Sequence, residues 1–173
     1  MLRVCITILF ITATLPAKLD IGRTIKLRSV SEDYPNYFVS RQSDNTVAIS
    51  DSSEENLWIV KSSLRVEDKN AISLMSVRSG FLRHQGFDVR VDALGKISGG
   101  DASFNVEKGL AGKGISLQSV NFPGKYLRHN AGTGMRLEKG EDSEYKEDAS
   151  FEVVTVSTWL GESALYLGNR IKC

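Results

Sequence analysis

The 173-residue sequence predicts an all-β fold built from three repeated units, and two observations in particular support this. Residues 72–104 and 115–151 share, in the same order, the blocks I-S-L-x-S-V, an aromatic residue followed by Leu-Arg-His, and Asp-Ala-Ser-Phe. Apolar and polar residues also alternate in short runs divided by Gly- and Asn-rich turns, as they do in half-buried strands. Repetition at a fixed spacing is typical of a fold assembled from equivalent units.

A less regular copy of the same unit precedes these two. Residues 25–30 (IKLRSV) match the opening block, and residues 37–40 (YFVS) stand where residues 126–129 (YLRH) stand in the third unit. Residues 55–58 (ENLW) take the place of residues 101–104 (DASF). Most of the chain is therefore expected to form one domain with an internal triplication.

The spacing of the units predicts how they close. The last aromatic residues of the units, Trp58, Phe104 and Phe151, lie 46 and 47 residues apart. A propeller also uses four-stranded units, but it typically needs about four or more of them. Three units that close on one another predict a β-trefoil of ~45-residue repeats, whose barrel has no free strand edge. We expect repeats at about 24–60, 71–106 and 114–153, within a domain of residues 18–156.

The repeated blocks also resemble a known family. The third unit carries S-V-N-F-P-G-K-Y-L-R-H at residues 119–129 and D-A-S-F at residues 148–151. The second unit keeps both blocks, with Phe81 in place of the tyrosine and a shorter turn. This pattern resembles the arabinose-binding β-trefoil module of α-L-arabinofuranosidases, carbohydrate-binding module family 42. The resemblance spans residues 24–154 and implies a sugar-binding β-trefoil.

Two histidine–aspartate pairs are the candidate binding residues. The only histidines, His84 and His129, occupy the same place in two units, and Asp101 and Asp148 follow them 17 and 19 residues later. A carboxylate accepts hydrogen bonds from adjacent sugar hydroxyls, and an imidazole can donate or accept one more. The family resemblance implies that each pair lines one arabinofuranose pocket.

Each of these residues also has a structural interpretation. An aspartate before Ser-Phe can cap a turn, and a histidine at a strand end can be an ordinary structural residue. Phe81 and Tyr126 are expected in the core or in a pocket wall, and Arg83 and Arg128 at the surface or at a pocket rim. The occurrence of the His–Asp pair in two units favours sugar binding over these alternatives.

The first unit is expected to have a degenerate pocket. Ser40 stands at the place of the histidine and Glu55 at the place of the aspartate. The longer glutamate side chain displaces the carboxylate, and buried polar groups are then left unpaired. We therefore predict that this pocket binds weakly or not at all.

Catalysis by this chain is not expected. Hydrolysis of a glycosidic bond needs two carboxyl groups flanking it, roughly 5–10 Å apart, whereas Asp101 and Asp148 belong to different units. No serine elbow, metal-ligand spacing or phosphate loop occurs, so no cofactor or metal is expected. A cluster of acidic residues near the end of the third unit is typical of a solvated loop: Glu141, Asp142, Glu144, Glu147 and Asp148.

These observations predict a secreted, lectin-like module that binds terminal arabinofuranose-type sugars of arabinan- or arabinoxylan-like glycans. Two alternatives stay open: an accessory domain of an α-L-arabinofuranosidase system, and a protein-binding β-trefoil, since a fold alone does not define a function. The formal net charge is +1 and Lys and Arg are scattered, which argues against a nucleic-acid partner.

The ends of the chain predict export. Residues 1–17 are typical of a secretory signal, with Arg3 before the apolar run 4–14; the alternative is a buried N-terminal strand. The run is too short to span a bilayer, so an extracellular protein with no membrane anchor is expected. Cys173 would then be the only cysteine, either in an intermolecular disulfide or as a free end. Residues 157–173 are either a strand or a tail.

Overall fold

The computed structural model describes residues 18–51, 56–130 and 134–156, which form twelve β-strands and one α-helix. The strands are β1 (Thr24–Ser29), β2 (Phe38–Arg41), β3 (Val47–Ser50), β4 (Trp58–Ser62), β5 (Ile72–Ser76), β6 (Phe81–Gln85), β7 (Asp88–Asp92), β8 (Phe104–Lys108), β9 (Ile115–Ser119), β10 (Tyr126–His129), β11 (Met135–Glu138) and β12 (Phe151–Thr155). The helix α1 spans Ser143–Asp148, and two 3-10 segments span Leu94–Lys96 and Gly99–Ala102. The prediction of an all-β fold is confirmed.

Six of the strands close a ring, and the other six form hairpins on it. The ring runs β1–β4–β5–β8–β9–β12 and back to β1, with every neighbouring pair antiparallel. The hairpins are β2–β3, β6–β7 and β10–β11. Because the ring is closed, none of its strands presents an unpaired edge.

The strand register corrects the alignment of the first unit. Each hairpin begins with an aromatic residue paired to the fourth residue of the opening block: Phe38 to Arg28, Phe81 to Met75 and Tyr126 to Gln118. Three positions after these aromatics stand Arg41, His84 and His129. The expectation that Ser40 replaces the histidine is therefore wrong, and Arg41 stands there instead. Ser40 matches the arginine before each histidine.

The closing aromatics form the centre of the core. Trp58, Phe104 and Phe151 are fully buried, together with the leucines of the opening blocks. The tryptophan indole also keeps a hydrogen-bond partner, since Trp58 Nε1 donates to the Val39 carbonyl at 2.9 Å. The steady period found in the sequence thus reflects one shared core to which every unit contributes the same positions.

Buried serines explain why the repeated blocks read I-S-L and A-S-F. The Ser116 hydroxyl donates to the Ala149 carbonyl at 2.7 Å and accepts from the Leu110 amide at 3.0 Å. Ser150 accepts from the neighbouring Ala111 amide at 3.0 Å. Ser73 and Ser103 bind the Leu64 and Arg65 amides in the same way. These serines form hydrogen bonds with backbone groups of the connectors between units. The repeated spacing of the two blocks therefore has a structural cause.

Replacing Ser116 by alanine is expected to lower the free energy of unfolding by about 1–3 kcal/mol, because a buried amide and a buried carbonyl lose their partner. Urea unfolding followed by tryptophan fluorescence measures this loss. Ser43→Ala, at an exposed serine of the β2–β3 turn, is the control and should change the free energy by less than about 0.5 kcal/mol. Equal effects of the two substitutions would contradict the assignment.

The acidic cluster is mostly exposed, as expected, but part of it is helical and not a loop. Helix α1 is capped by Asp142, which accepts from the Tyr145 amide at 2.7 Å. Tyr145 is buried and donates its hydroxyl to the Glu138 carbonyl at 2.8 Å, and burial raises the pKa of Tyr145 to about 12. Asp148, the last helical residue, is also buried. The helix thus carries one acid of the cluster inward.

Several predictions concern residues outside the described ranges, and they stay predictions. These are the secretory signal in residues 1–17, the thiol of Cys173, the segment 157–173 and the carboxylate of Glu55. N-terminal sequencing of secreted protein would test the first of them. Within the described part of the chain, no helix combines the length and the apolar character that a bilayer crossing requires.

Candidate functional site

The second unit brings His84 and Asp101 together through an asparagine of the third unit. His84 lies near the end of β6, and Asp101 lies in the 3-10 segment Gly99–Ala102. His84 Nε2 is 3.5 Å from Asp101 Oδ1. Asn121 bridges them, because its Nδ2 donates to Asp101 Oδ1 at 2.8 Å while its Oδ1 lies 3.1 Å from His84 Nε2. Ser119 donates to the same Asn121 oxygen at 2.8 Å, which fixes the amide.

This group lies beneath an aromatic surface and is open mainly at the aspartate. The side chain of His84 is 5% exposed, whereas that of Asp101 is 25% exposed. The Phe122 ring meets the imidazole edge-on at 5.2 Å, and the Phe87 ring is stacked with it at 6.4 Å. Phe122 is itself 37% exposed. The solvent-facing part therefore combines a carboxylate acceptor with an apolar ring.

The third unit has a more buried His–Asp pair at the same distance, in which Nδ1 of the imidazole, and not Nε2, faces the carboxylate. His129 Nδ1 is 3.5 Å from Asp148 Oδ1, and the two side chains are 0% and 7% exposed. His129 Nε2 lies 2.9 Å from the Ser29 hydroxyl, and the Tyr34 ring meets the imidazole edge-on at 5.4 Å. Asp148 Oδ2 accepts from Arg128 Nη2 at 3.0 Å. Arg128 thus holds the carboxylate through the oxygen that does not face the histidine.

The buried histidine is neutral at neutral pH. Burial, and secondarily the neighbouring Arg128, lowers the pKa of His129 to about 4. Burial raises the pKa of Asp148, and the hydrogen bonds from Arg128 oppose that change. Among the described residues, His129 Nδ1 has no hydrogen-bond partner. A buried imidazole nitrogen therefore faces a carboxylate just beyond hydrogen-bonding distance.

Each of the two groups is completed by the opening turn of another unit. The second-unit pair receives Asn121 and Phe122 from the third unit, and the third-unit pair receives Ser29 and Tyr34 from the first. In both turns the aromatic residue precedes a proline. These contributors were not among the site residues predicted from the sequence, because they belong to other units. The sequence feature that could have indicated two of them, Phe122 and Tyr34, is the aromatic-proline dipeptide after the S-V block.

Comparison with known proteins identifies the family. Residues 27–153 match the alpha-L-arabinofuranosidase B (ABFB) domain. The chain belongs to this family. Because the match covers both His–Asp pairs, they lie inside the ABFB domain.

The relatives of this ABFB domain are longer proteins. An arabinofuranosidase/β-xylosidase of Trichoderma koningii is 26% identical over 120 residues, which cover 64% of this chain and 24% of the relative. A probable α-L-arabinofuranosidase B of Aspergillus fumigatus is 30% identical over 124 residues, which cover 65% of this chain and 24% of the relative. The chain thus matches about a quarter of the length of these curated relatives.

Solved structures agree with this assignment. An arabinofuranosidase complexed with arabinofuranosyl-α-1,2-xylobiose matches with a TM-score of 0.72 and 25% identity, over 82% of this chain and 32% of that one. A β-trefoil protein, BEL, matches with a TM-score of 0.61 and 14% identity, over 80% of this chain and 98% of that one. The second likeness concerns the fold alone.

In this ABFB domain the expected pocket walls lie elsewhere. Phe81 and Tyr126 stand three positions before the histidines, so their side chains leave the opposite face of the same strand. The Tyr126 hydroxyl instead donates to Glu107 Oε2 at 2.7 Å. The rings that contact the two imidazoles are Phe87, Phe122 and Tyr34.

The hydrogen-bond partners of Asp101, Asp148 and Arg83 bear on their structural interpretations as turn caps or surface residues. The Asp101 and Asp148 side chains accept from Asn121 and Arg128, both distant in sequence, rather than from a local turn. Arg83 is buried and donates to Asp92 at 2.8 Å, so it is not a surface residue. Within residues 18–51, 56–130 and 134–156, no group of three His, Cys, Asp or Glu side chains could hold a metal ion.

Proposed function

We propose that this chain is a carbohydrate-binding β-trefoil of three units, whose second and third units hold terminal arabinofuranose-type sugars of arabinan- or arabinoxylan-like glycans. The observation that carries the proposal is the recurrence of one arrangement: an aspartate 3.5 Å from a histidine, beneath an aromatic ring, in two units of an ABFB domain. A structural relative bound to an arabinofuranosyl oligosaccharide supports the choice of sugar.

In the second-unit pocket, the carboxylate of Asp101 is the direct sugar ligand. It is the most exposed member of the group, and a carboxylate accepts hydrogen bonds from two adjacent hydroxyls. Phe122 supplies the apolar wall against the C–H face of the sugar. His84 is too buried to be the main contact, so its role is to position Asn121 and through it the carboxylate.

In the third-unit pocket, a sugar hydroxyl is proposed to bridge His129 and Asp148 from one side, because the 3.5 Å between their facing atoms leaves no room for it between them. It would accept from Nδ1–H and donate to the carboxylate, and so satisfy a buried nitrogen that has no partner among the described residues. The Tyr34 ring and the surrounding turn cover this position. The third-unit pocket is therefore expected to bind more weakly than the second, because the covering turn has to move.

The chain is proposed to bind without hydrolysing. Two carboxyl groups on either side of one glycosidic bond are needed for hydrolysis, and each proposed pocket contributes one. Asp101 is accompanied by an imidazole and an amide, and Asp148 by an imidazole and a guanidinium. An assay for arabinose release by the purified chain tests this part of the proposal, and turnover would contradict it.

Asp101→Asn is expected to weaken binding of L-arabinose or an arabinofuranosyl oligosaccharide by about 10- to 100-fold at its pocket, since hydrogen bonds to a charged acceptor are lost while the side-chain shape is kept. Isothermal titration calorimetry measures the affinity. Adding Asp148→Asn should abolish retention on immobilised arabinan, where two pockets reinforce each other.

The control is Asp20→Asn, an exposed aspartate paired with Arg23 at 4.0 Å and outside both His–Asp groups. It should leave sugar affinity unchanged. Retention on arabinan that survives the double substitution would refute the proposed pockets, and binding of a protein ligand instead would favour the alternative class of β-trefoil.

A further inference from the structure

The first unit has a distinct polar site at the position equivalent to the histidine pockets. Arg41 stands where the other units have histidine, and its Nε donates to Asn45 Oδ1 at 3.1 Å while Nη1 donates to the Ser79 carbonyl at 3.3 Å. Asn45 matches Phe87 of the second unit. Both have positive φ, 67° and 73°, and both carbonyls accept from the next hairpin at 2.8 Å.

These residues line a cavity of about 230 Å³ with a positive balance of charge. The cavity contains Arg41, the exposed Lys96 and Asp92. Asp92 is already paired with two arginines, at 2.8 Å to Arg83 and 2.9 Å to Arg90. Neither Arg41 nor Lys96 has an acidic side chain within 4 Å in the described part of the chain. Among the described residues, the charge available to a ligand is therefore cationic.

The chemistry of this cavity is the inverse of that in the two histidine pockets. The histidine pockets offer a carboxylate that accepts hydrogen bonds from neutral hydroxyls. The first-unit cavity instead offers two cations, Arg41 and Lys96, which can only donate hydrogen bonds. A guanidinium has five N–H groups, and the hydrogen bonds to Asn45 and Ser79 hold the plane of Arg41 in place. A fixed guanidinium matches the planar geometry of a carboxylate, and a lysine beside it adds a point charge.

We propose that the first-unit cavity binds the carboxylate of an acidic sugar, a uronic acid residue, and so gives the chain a second specificity beside neutral pentoses. The volume suits one sugar ring, because pockets for larger ligands begin at roughly 300 Å³. The preference for an anion rests on Arg41 and Lys96 alone. The choice of a sugar acid over a simple anion also rests on the proposed carbohydrate-binding function.

The test is a titration of the full chain with D-glucuronate, followed by amide chemical shifts, with D-glucose as the neutral sugar and sulfate as the simple anion. Glucuronate should shift residues around Arg41, and Arg41→Gln should lower its affinity by about 10-fold or more. Because Lys96 is exposed, Lys96→Glu should leave the fold intact, and it should lower glucuronate affinity by about 5-fold or more. Asp101→Asn should leave glucuronate affinity unchanged while reducing that for arabinose.

The outcomes separate this site from the histidine pockets. Unchanged glucuronate affinity in folded Arg41→Gln or in Lys96→Glu would overturn the proposal, as would equal binding of glucose. Sulfate bound as tightly as glucuronate, and displacing it, would overturn the assignment to a sugar acid. Loss of arabinose binding by Asp101→Asn together with no response to glucuronate would leave the neutral-sugar pockets standing and reject this one.

Discussion

Acidification from neutral pH to about pH 4 is expected to remove about 3 kcal/mol of unfolding free energy through His129 alone. The pKa of this histidine is about 4 in the folded protein and 6.5 when solvated. Between these two values the unfolded chain binds a proton that the folded chain does not. The contribution of His129 is therefore present above pH 6.5 and lost as the pH falls towards 4.

Asp148 modifies the acid end of this profile with the opposite sign. Burial raises its pKa above 3.8, so just above that pH the folded state holds a proton that the unfolded state has released. This contribution stabilises the protein as the pH falls through the raised pKa, and it partly offsets the loss from His129. The contribution of His129 should accordingly change most steeply near the middle of the window, where the unfolded chain binds nearly one proton more than the folded chain.

Urea unfolding at several pH values between 7 and 4 measures the effect. His129→Gln removes the titrating group, so the fall with pH should be smaller than in the wild type by about 3 kcal/mol. Ser116→Ala is the matched control, because it lowers stability at every pH but keeps the histidine. Its profile should run parallel to that of the wild type. A His129→Gln variant that loses as much stability as the wild type would show that folding does not lower the pKa of His129.

The features that could be predicted from the sequence are those that every unit must repeat. Trp58, Phe104 and Phe151 meet in one core, so their spacing is preserved, and alternating apolar residues reveal the strands on which they lie. The two His–Asp pairs were also visible, because each pair comes from a single unit and its spacing recurs. Contacts between residues of the same repeat can therefore be predicted from the sequence.

Contacts across units were not readable in the same way. Asn121, Phe122 and Tyr34 reach histidines of other units, and the last of these depends on the first and third units becoming neighbours when the ring closes. A repeat pattern shows which residues occupy equivalent positions, but it does not show which residues of different units are in contact. The partners of the two pairs needed the strand order.

The first unit shows how a shift of one residue changes a functional assignment. Its opening turn is longer than that of the second unit, so aligning Tyr37 with Tyr126 placed Ser40 at the histidine position. In the structure, Phe38 takes the place of Tyr126 in the strand pairing, and Arg41 therefore stands at the histidine position. In a strand such a shift moves a side chain to the other face. Helix α1 escaped detection for a different reason, since six residues are too few to show helical periodicity.

Phe151→Ala is expected to lower the free energy of unfolding by about 3–5 kcal/mol, because its ring is fully buried and leaves a cavity in the shared core. The melting temperature should fall by about 10–20 °C. The ring also packs edge-on against the His129 imidazole at 6.4 Å, so the third-unit pocket should lose its geometry along with the core. Calorimetry and arabinose titration at a temperature where the variant is folded measure the two effects.

Phe122→Ala is the matched control, since it removes the same side chain from a ring that is partly exposed beside His84. Because this ring is already partly exposed, the free energy of unfolding should fall by less than in Phe151→Ala, by about 1–2 kcal/mol. Arabinose affinity at the second-unit pocket should nevertheless fall by about 5- to 10-fold, through loss of the apolar wall. The two phenylalanines thus separate the core from the pocket. A Phe122→Ala variant that binds sugar normally would place the wall elsewhere and leave Asp101 as the only supported ligand of that pocket.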